Sequence, residues 1–372
     1  MNITLVSDTV YPYFKGGKEK RLFELSTRLA QLGHDVHIYT MHWWQENEKT
    51  RTENGLTLHA ISPLYPLYSG DRRSIKEGVM FGLHCLKLFS VKFEILDVDH
   101  MPFFPIYSAW FVCVLRGKKL YGTWHEALSR KDWTDYMGVT GNVAAIIERI
   151  SIKLPYRVSA ASVHTQKLIA SNLHRTKRLS LVTSGIDTKL IAKLKPAAIQ
   201  CHVLYTGRLV KDKNIDKLVE AIAIAVKTMP SIRAIIIGHG IEKQNITNLI
   251  KKRNLQKHIT MLNPLPNAED VYSYMKAAKV FCLPSVREGF GIVALEALGC
   301  GTPVITIDYP ANAAKDLITN GKNGSVVPLD TEAMAKAILL WTNKPKPRGL
   351  SQTVASYDWD ALAKTQAEVY TQ

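Results

Sequence analysis

The chain has 372 residues, 46% hydrophobic and 22% charged, with a formal net charge of +16 and a pI near 9.5. That mixture suits two globular domains, and no apolar run reaches the roughly 18 residues of a membrane span. Cys85, Cys113, Cys201, Cys282 and Cys300 are scattered, which excludes a disulfide framework or cysteine metal cluster and fits a reducing compartment. Residues 1–187 hold 24 Lys and Arg against 17 Asp and Glu, so both halves share the positive excess. It favours phosphorylated ligands, acidic lipids or nucleic acid, or serves solubility alone. No aromatic and basic residues interleave as in a nucleic-acid stacking platform, so nucleic acid is not an expected partner.

The N-terminal "MNITLVSD" runs straight into a buried-type strand without a basic leader or cleavage site, and a cytoplasmic protein is expected. A loop, "TVYPYFKGGKEK", follows. Leu22, Leu25, Leu29 and Leu32 then mark one helix face, with Gly33 placed to end it. "DVHIYT" completes a βαβ opening. Gly16 and Gly17 lie between strand and helix, either as a backbone nest for an anion or as a plain turn. "FEILDVDH" (93–100), "KKLYGTWH" (118–125) and "RVSAASVH" (157–164) read as further strands, and parallel sheets bind ligands at such strand ends. His125 stands at one of them, and His100, more weakly, at another. Each is suited to a sugar hydroxyl, to acid/base work, or to a structural role. "MPFFPIYSAWFVCVL" (101–115) reads as a buried turn and helix, and "GNVAAIIERISIKL" (141–154) as an amphipathic helix. "LVTSGIDTKL" carries a tight turn at Gly185 and Asp187. A domain boundary is expected near 187–201, where "KLIAKLKPAAIQ" is basic and irregular.

A second strand, polar loop and helix open at "HVLYTGRLVKDKNID" (202–216), similar in kind to the first opening but not a repeat of it. Arg208 and Lys213 flank its loop and suit a diphosphate, or make a plain basic surface loop. "IRAIIIGHG" (232–240), "ITMLN" (259–263), "VFCLPS" (280–285) and "PVITID" (303–308) are the next strands. Between the last two lies "SVREGFGIVALEALGCGTPVI" (285–305). Glu288 falls at a strand end beside a helix N-terminus, where unpaired N–H groups attract phosphate. Gly289 and Gly291 allow close backbone approach to a ligand. Glu296 sits about one turn inside the helix and suits a vicinal diol. In the plainer alternative Glu288 caps the helix and Glu296 is solvated. No GxSxG elbow, Walker loop, GxGxxG fingerprint or His/Cys metal spacing is present.

Taken together, Gly-Gly, a strand-end His, S-G-I-D, G-R-x(4)-K, G-x-G and E-x(7)-E occur in one order. That order resembles the retaining glycosyltransferases of family 4 over nearly the whole chain, most specifically at "PSVREGFGIVALEALGCGTPVI". The resemblance implies an α/β chain with the GT-B fold, two facing Rossmann-like domains with a cleft between them. Residues 1–187 would form the acceptor side, 188–356 the nucleotide-sugar side, and 357–372, around Trp359, a helix crossing back. It implies that Glu288 contacts the transferred sugar with the backbone of Gly289, Phe290, Gly291 and Ile292. Glu296 would hold the ribose, Arg208 and Lys213 the diphosphate, Gly16 and Gly17 its oxygens, and His125 the sugar. The donor would be a UDP- or GDP-linked sugar, with no metal and no other cofactor. The expected chemistry is front-face transfer of a hexose, the leaving diphosphate helping to deprotonate the acceptor hydroxyl. Ser184-Gly185 replaces the family's usual Asn-Gly, and His239 its usual acidic residue, which bears on how the nucleotide is held. Basic clusters in the first half ("KGGKEKR", "DRR", "RGKK", "HRTKR") suit a lipid-linked or cell-surface glycan acceptor and peripheral docking on the inner face of an anionic membrane. A soluble sugar acceptor, or a catalytically silent carbohydrate- or nucleic-acid-binding module, are the alternatives.

Overall fold

The computed structural model describes residues 1–69 and 72–372. The chain divides into two compact units, Met1–Ser184 with Trp359–Gln372, and Gly185–Asp358.

The first unit opens with β1 (Asn2–Val6), α1 (Gly17–Gln31) and β2 (Asp35–Met41). Two antiparallel pairs follow, β3 (Thr50–Glu53) with β4 (Leu56–Ser62) and β5 (Tyr68–Ser69) with β6 (Arg72–Arg73). Then come α2 (Ile75–His84), a 3-10 segment at Cys85–Ser90, β7 (Ile95–Asp99), α3 (Phe104–Leu115) and β8 (Leu120–Trp124). The unit continues with α4 (Arg130–Met137), α5 (Gly141–Ser151), β9 (Arg157–Ala160), α6 (Val163–Asn172) and β10 (Leu179–Leu181). Its main sheet runs β10-β9-β8-β7-β1-β2-β4-β3, parallel except for β3. The order reverses between β1 and β7, whose buried residues Ile3, Leu96 and Val98 make a sheet covered on both faces.

In the second unit, α7 (Thr188–Lys193) precedes β11 (Val203–Thr206), α8 (Ile215–Thr228), β12 (Ala234–Ile237), α9 (Lys243–Lys252) and β13 (Ile259–Leu262). Next are α10 (Ala268–Ala277), β14 (Val280–Leu283), α11 (Ile292–Gly299), β15 (Val304–Ile307), β16 (Gly324–Val327) and α12 (Thr331–Thr342). The six strands are all parallel, in the order β13-β12-β11-β14-β15-β16. This is a doubly wound sheet that reverses between β11 and β14. Finally α13 (Trp359–Thr371) returns to the first unit, where Trp359 is fully buried with Leu25 and Val182.

Several elements differ from expectation. The loop of 9–20 is shorter, because α1 starts at Gly17 and Glu19 is drawn inward by Thr9 Oγ1, which donates to it at 2.5 Å. Leu32 is the C-cap and exposed, so the buried stripe ends at Leu29, while Gly33 reaches φ +87° just past the helix. The strand at 157–164 stops at Ala160, since Ser162 accepts from Thr165 N and starts α6. The segment after Asp187 is not irregular throughout: Asp187 accepts from Leu190 N and caps α7. The segment 101–115 is only half buried. The amphipathic segment at 141–154 is turned over, burying Glu148 and exposing Val143, Ile146 and Ile150.

Candidate functional site

In the second unit the residues of interest gather where the strand order reverses. Val203 of β11 pairs with Val280 of β14, so the loops that follow these strands emerge side by side. The first brings Arg208 and, in a single 3-10 turn, Lys213; the second brings Glu288. Hydrogen bonds tie the loops, with Val286 N donating to Asp212 O at 3.0 Å and the Asn214 side-chain Nδ2 to Pro284 O at 3.1 Å. The Lys213 ammonium, 8% exposed as a residue, donates to Arg287 O at 3.0 Å and pairs with Glu288 Oε1 at 2.9 Å. Asp212 lies 3.4 Å away. Two groups read separately in sequence thus form one charge-assisted hydrogen bond.

Arg208 is exposed, and among the described residues its guanidinium has no ion pair. Its backbone is held from below: Tyr205 Oη donates to Arg208 O at 2.8 Å. Burial, and after it the charge of Glu288, push the Tyr205 phenol up, so it stays neutral and donating. His239 is exposed on the neighbouring loop, with its carbonyl accepting from Leu209 N at 2.8 Å.

The Gly-Phe-Gly turn serves the chain's own packing as well as ligand approach. Gly291 is the N-cap of α11 at φ +84°, and a Cβ there would lie 2.5 Å from the Ala314 Cβ. Phe290 is buried with its ring 5.9 Å from that of Tyr357. Glu288 N donates to Ala311 O, and Glu288 O accepts from Ala313 N, both at 2.9 Å. Glu288 does not cap α11, whose N-cap is Gly291 with no side-chain cap hydrogen bond. Ile292 is the first residue of α11, beside Gly289 and the free N–H groups that a helix start presents. Glu296 is not solvated: it is 7% exposed and accepts from Tyr272 Oη at 3.0 Å.

The first unit repeats the arrangement where its own sheet reverses, after β1, β7 and β8. His125 Nε2 lies 2.9 Å from Asp99 Oδ1. Burial opposes ionisation of Asp99, but His125 and then Lys18 outweigh it and hold the carboxyl below its usual range. His100 is buried and stacked on Trp124, with ring centres 5.4 Å apart, and its Nδ1 faces the backbone N–H of His125 at 3.3 Å. Burial, and then His125, keep His100 neutral. Gly16 is the N-cap of α1, where a Cβ would lie 2.3 Å from Glu19 Oε2, and Gly17 is the first residue of α1.

Sequence reading passed over Asp8, Lys18, Arg73 and Asp99. Lys18 Nζ pairs with fully buried Asp8 at 2.5 Å and reaches Ser7 Oγ at 3.1 Å and Asp99 Oδ2 at 3.8 Å. Arg73 holds the other oxygen of Asp8. Hence "KGGKEKR" and "DRR", whose Asp71 lies outside the described residues, are not simply surface charge: each ties a cation into the fold's own hydrogen bonds. So does "HRTKR", where half-buried Arg175 donates to Pro155 O and Tyr156 O at 2.9 and 3.0 Å. The signal for the missed acids was in view, since Asp8 closely follows one apolar strand and Asp99 ends another. Among the described residues no three of His, Cys, Asp and Glu converge as metal ligands.

Comparison with known proteins adds to this geometry. The profile "Glycosyltransferase Family 4" matches residues 15–190 and "Glycosyl transferases group 1" matches residues 188–353. An uncharacterized glycosyltransferase of Haemophilus influenzae is 27% identical over 172 residues, 46% of this chain and 48% of the relative. The chain thus spans about half the length of the first curated relatives it matches. A phosphatidylinositol N-acetylglucosaminyltransferase component from Arabidopsis thaliana is 23% identical over 100% of this chain and 81% of the relative. Among solved structures, sucrose-phosphate synthase from Thermosynechococcus elongatus has a TM-score of 0.80 at 20% identity, covering 100% of this chain and 98% of that one. Anabaena HepE in complex with UDP has a TM-score of 0.76 at 15% identity, covering both chains fully. These structures share the GT-B fold.

Proposed function

The chain belongs to the family 4 glycosyltransferases, and from that premise we propose that it moves a hexose from a UDP- or GDP-linked sugar to a hydroxyl acceptor with retention. The observation that carries this reading is the Lys213–Glu288 pair, fixed at 2.9 Å where the sheet of the second unit reverses. There the pair stands beside the N-terminus of α11, with Glu296 buried one turn further on. A diphosphate at this spot meets the ammonium of Lys213, the guanidinium of Arg208, which has no ion pair among the described residues, and the positive end of a helix. Together they supply the charge stabilisation that a divalent metal otherwise gives, and we assign a metal-independent reaction on that basis.

Glu288 accepts from the hydroxyls of the sugar that moves, with the backbone of Gly289, Phe290, Gly291 and Ile292 alongside. Glu296, oriented by Tyr272, accepts from the ribose diol. We assign Gly16 and Gly17 to the donor phosphates and His125 to the transferred sugar on the family pattern. Asp99 then sets which nitrogen of His125 faces outward: the Nε2 side is taken by the carboxylate, leaving Nδ1. The bond from the anomeric carbon to the diphosphate breaks as the acceptor oxygen bonds on the same face, and the acceptor proton passes to the departing phosphate oxygen.

The UDP bound by HepE supports the donor class, and the name of the Arabidopsis relative supports a lipid-linked glycan acceptor. We place the enzyme in the cytoplasm, peripheral to the membrane. No helix among the described residues is long and apolar enough to cross a bilayer.

The test is release of nucleoside diphosphate from a panel of UDP- and GDP-sugars with water as acceptor. One donor should be hydrolysed. Glu288→Ala should lower kcat at least roughly 100-fold, the size seen when one preorganised transition-state contact is removed. No hydrolysis of any donor despite nucleotide binding indicates the silent module, and normal turnover in Glu288→Ala overturns the site.

A further inference from the structure

Helix α3 reads "FPIYSAWFVCVL", with no charged side chain on any side. Such a helix belongs inside a large core or in lipid. Only one side of α3 is inside: Pro105, Ile106, Ala109, Val112 and Cys113 are buried. On the other side Trp110, Phe111, Val114 and Leu115 are 38%, 49%, 56% and 57% exposed. The notion that this segment is wholly buried is therefore corrected by the fold.

Exposed apolar side chains recur on the elements next to α3. The 3-10 segment Cys85–Ser90 packs beside α3 and adds Leu86 at 42% and Phe89 at 55% exposure, with Leu83 of α2 before it. On the far flank Tyr107 Oη donates to Ile147 O at 2.8 Å and ties α3 to α5. There Val143, Ile146 and Ile150, spaced as one helical stripe, are 59%, 59% and 47% exposed. The helix α5 has turned its acid inward to achieve this: Glu148 accepts from Trp133 Nε1 at 2.5 Å and from Leu128 N at 3.4 Å. Among the described residues, twelve of the twenty exposed large apolar side chains lie between Ile75 and Ile150. With α2 and the 3-10 segment packed on α3, and α5 tied to it, this concentration of exposed apolar side chains marks an interaction site.

Charge selects the occupant. The helices α2, α3 and α5 and the 3-10 segment expose no carboxylate, because Glu77 and Glu148 are both buried. Cations lie on the same helices or within four residues of their ends: Lys76, Lys118, Lys119, Arg149 and Lys153 are all exposed. The exposed acids Glu94, Asp132 and Asp135 lie outside these elements. A second copy of the chain would bring the same positive rim against this one, since a two-fold interface sets a patch against itself. An anionic bilayer satisfies both features at once, taking the apolar side chains among its acyl chains and the cations among its headgroups.

We propose that the outward face of α3, continued by Leu86 and Phe89 on one side and Val143, Ile146 and Ile150 on the other, docks onto an anionic lipid bilayer. The inference deepens the reading of a lipid-linked acceptor, since it sets the first unit against the surface that carries such an acceptor.

The test is flotation of the full chain with phosphatidylcholine vesicles, with and without phosphatidylglycerol, and with quenching of tryptophan by brominated acyl chains. The protein should float with the anionic vesicles and be quenched, and Trp110→Phe should remove most of that quenching. Changing Phe111, Val114 and Leu115 together to Ser should lower partitioning roughly tenfold or more. Lys118→Glu with Lys119→Glu should lower it about fivefold per charge. Circular dichroism and donor hydrolysis in water should be unchanged in these variants. Absence of flotation with anionic vesicles, or wild-type partitioning of the triple Ser variant, overturns the proposal. So does a dimer in sedimentation that the triple Ser variant abolishes, which identifies a second copy as the occupant. Docking without donor hydrolysis overturns the transferase reading alone.

Discussion

At Gly291 the backbone stands at φ +84°, and the space a side chain would need is occupied by the Ala314 methyl at 2.5 Å. Gly291→Ala forces the left-handed region on a residue with a Cβ and overpacks the start of α11. It should destabilise the fold by about 2–4 kcal/mol, measured by urea unfolding; unchanged stability would refute this account of the turn. A second residue-scale consequence concerns Asp97, buried beside a small cavity that Arg21, Gln366 and Tyr370 also line. Burial pushes its carboxyl up to about 6, against the hydrogen bonds of Tyr370 at 2.7 Å and Thr123 at 3.2 Å. The folded chain therefore holds this proton more tightly than the unfolded chain does. The stabilisation is complete below the ordinary carboxylate pKa and is lost as pH rises through about 6. Asp97→Asn removes that loss, so the stability of the variant relative to wild type should rise by about 2 kcal/mol between pH 4 and pH 7. A difference that stays constant with pH would count against the assignment. Asp99, held below its usual range, titrates in a separate and more acid window.

At the scale of elements, the helices whose apolar residues face the core were legible in advance. In α8, Leu218, Val219, Ile222 and Ala225 recur at helical spacing and are buried. The β14–α11 connection was legible too, because an apolar strand, a Gly-Phe-Gly turn and an apolar helix follow one another directly. Less was visible at α3 and α5. Periodicity shows that a helix has an apolar side, but what covers that side depends on neighbours distant in sequence. In α5 the competing term is Trp133, whose indole N–H needs an acceptor once buried and finds it in Glu148. The polar strand β3, "TRTE", gave no apolar alternation because it lies at an edge and, among the described strands, pairs with β4 alone.

For the whole molecule, the division of the chain has a direct consequence. The second unit is one continuous stretch, Gly185–Asp358, with its own core, whereas the first is completed by a segment from the far end of the sequence. Residues 185–358 expressed alone should fold cooperatively and bind a nucleoside diphosphate. Residues 1–184 alone lack α13, which leaves the places of Trp359, Leu362 and Ala363 empty beside Leu25 and removes the Tyr370 donor from Asp97. That fragment should unfold at markedly lower urea concentration than the same fragment supplied with residues 359–372 through a linker. Equal midpoints would show that α13 contributes nothing to the unit.

Read along the chain alone, the residues establish two doubly wound α/β units, the charged groups at their strand ends and the signature around Glu288 and Glu296. All of these are local patterns of apolar spacing, glycine and charge. Partnership was left to the folded chain. Lys213 meets Glu288 from 75 positions away, Asp8 takes Arg73 from 65 positions away as well as nearby Lys18, and α3 keeps one apolar side uncovered among the described residues. A side chain's charge or greasiness is its own property. Whether that charge is neutralised, or that surface covered, depends on which distant segment the sheet order brings beside it.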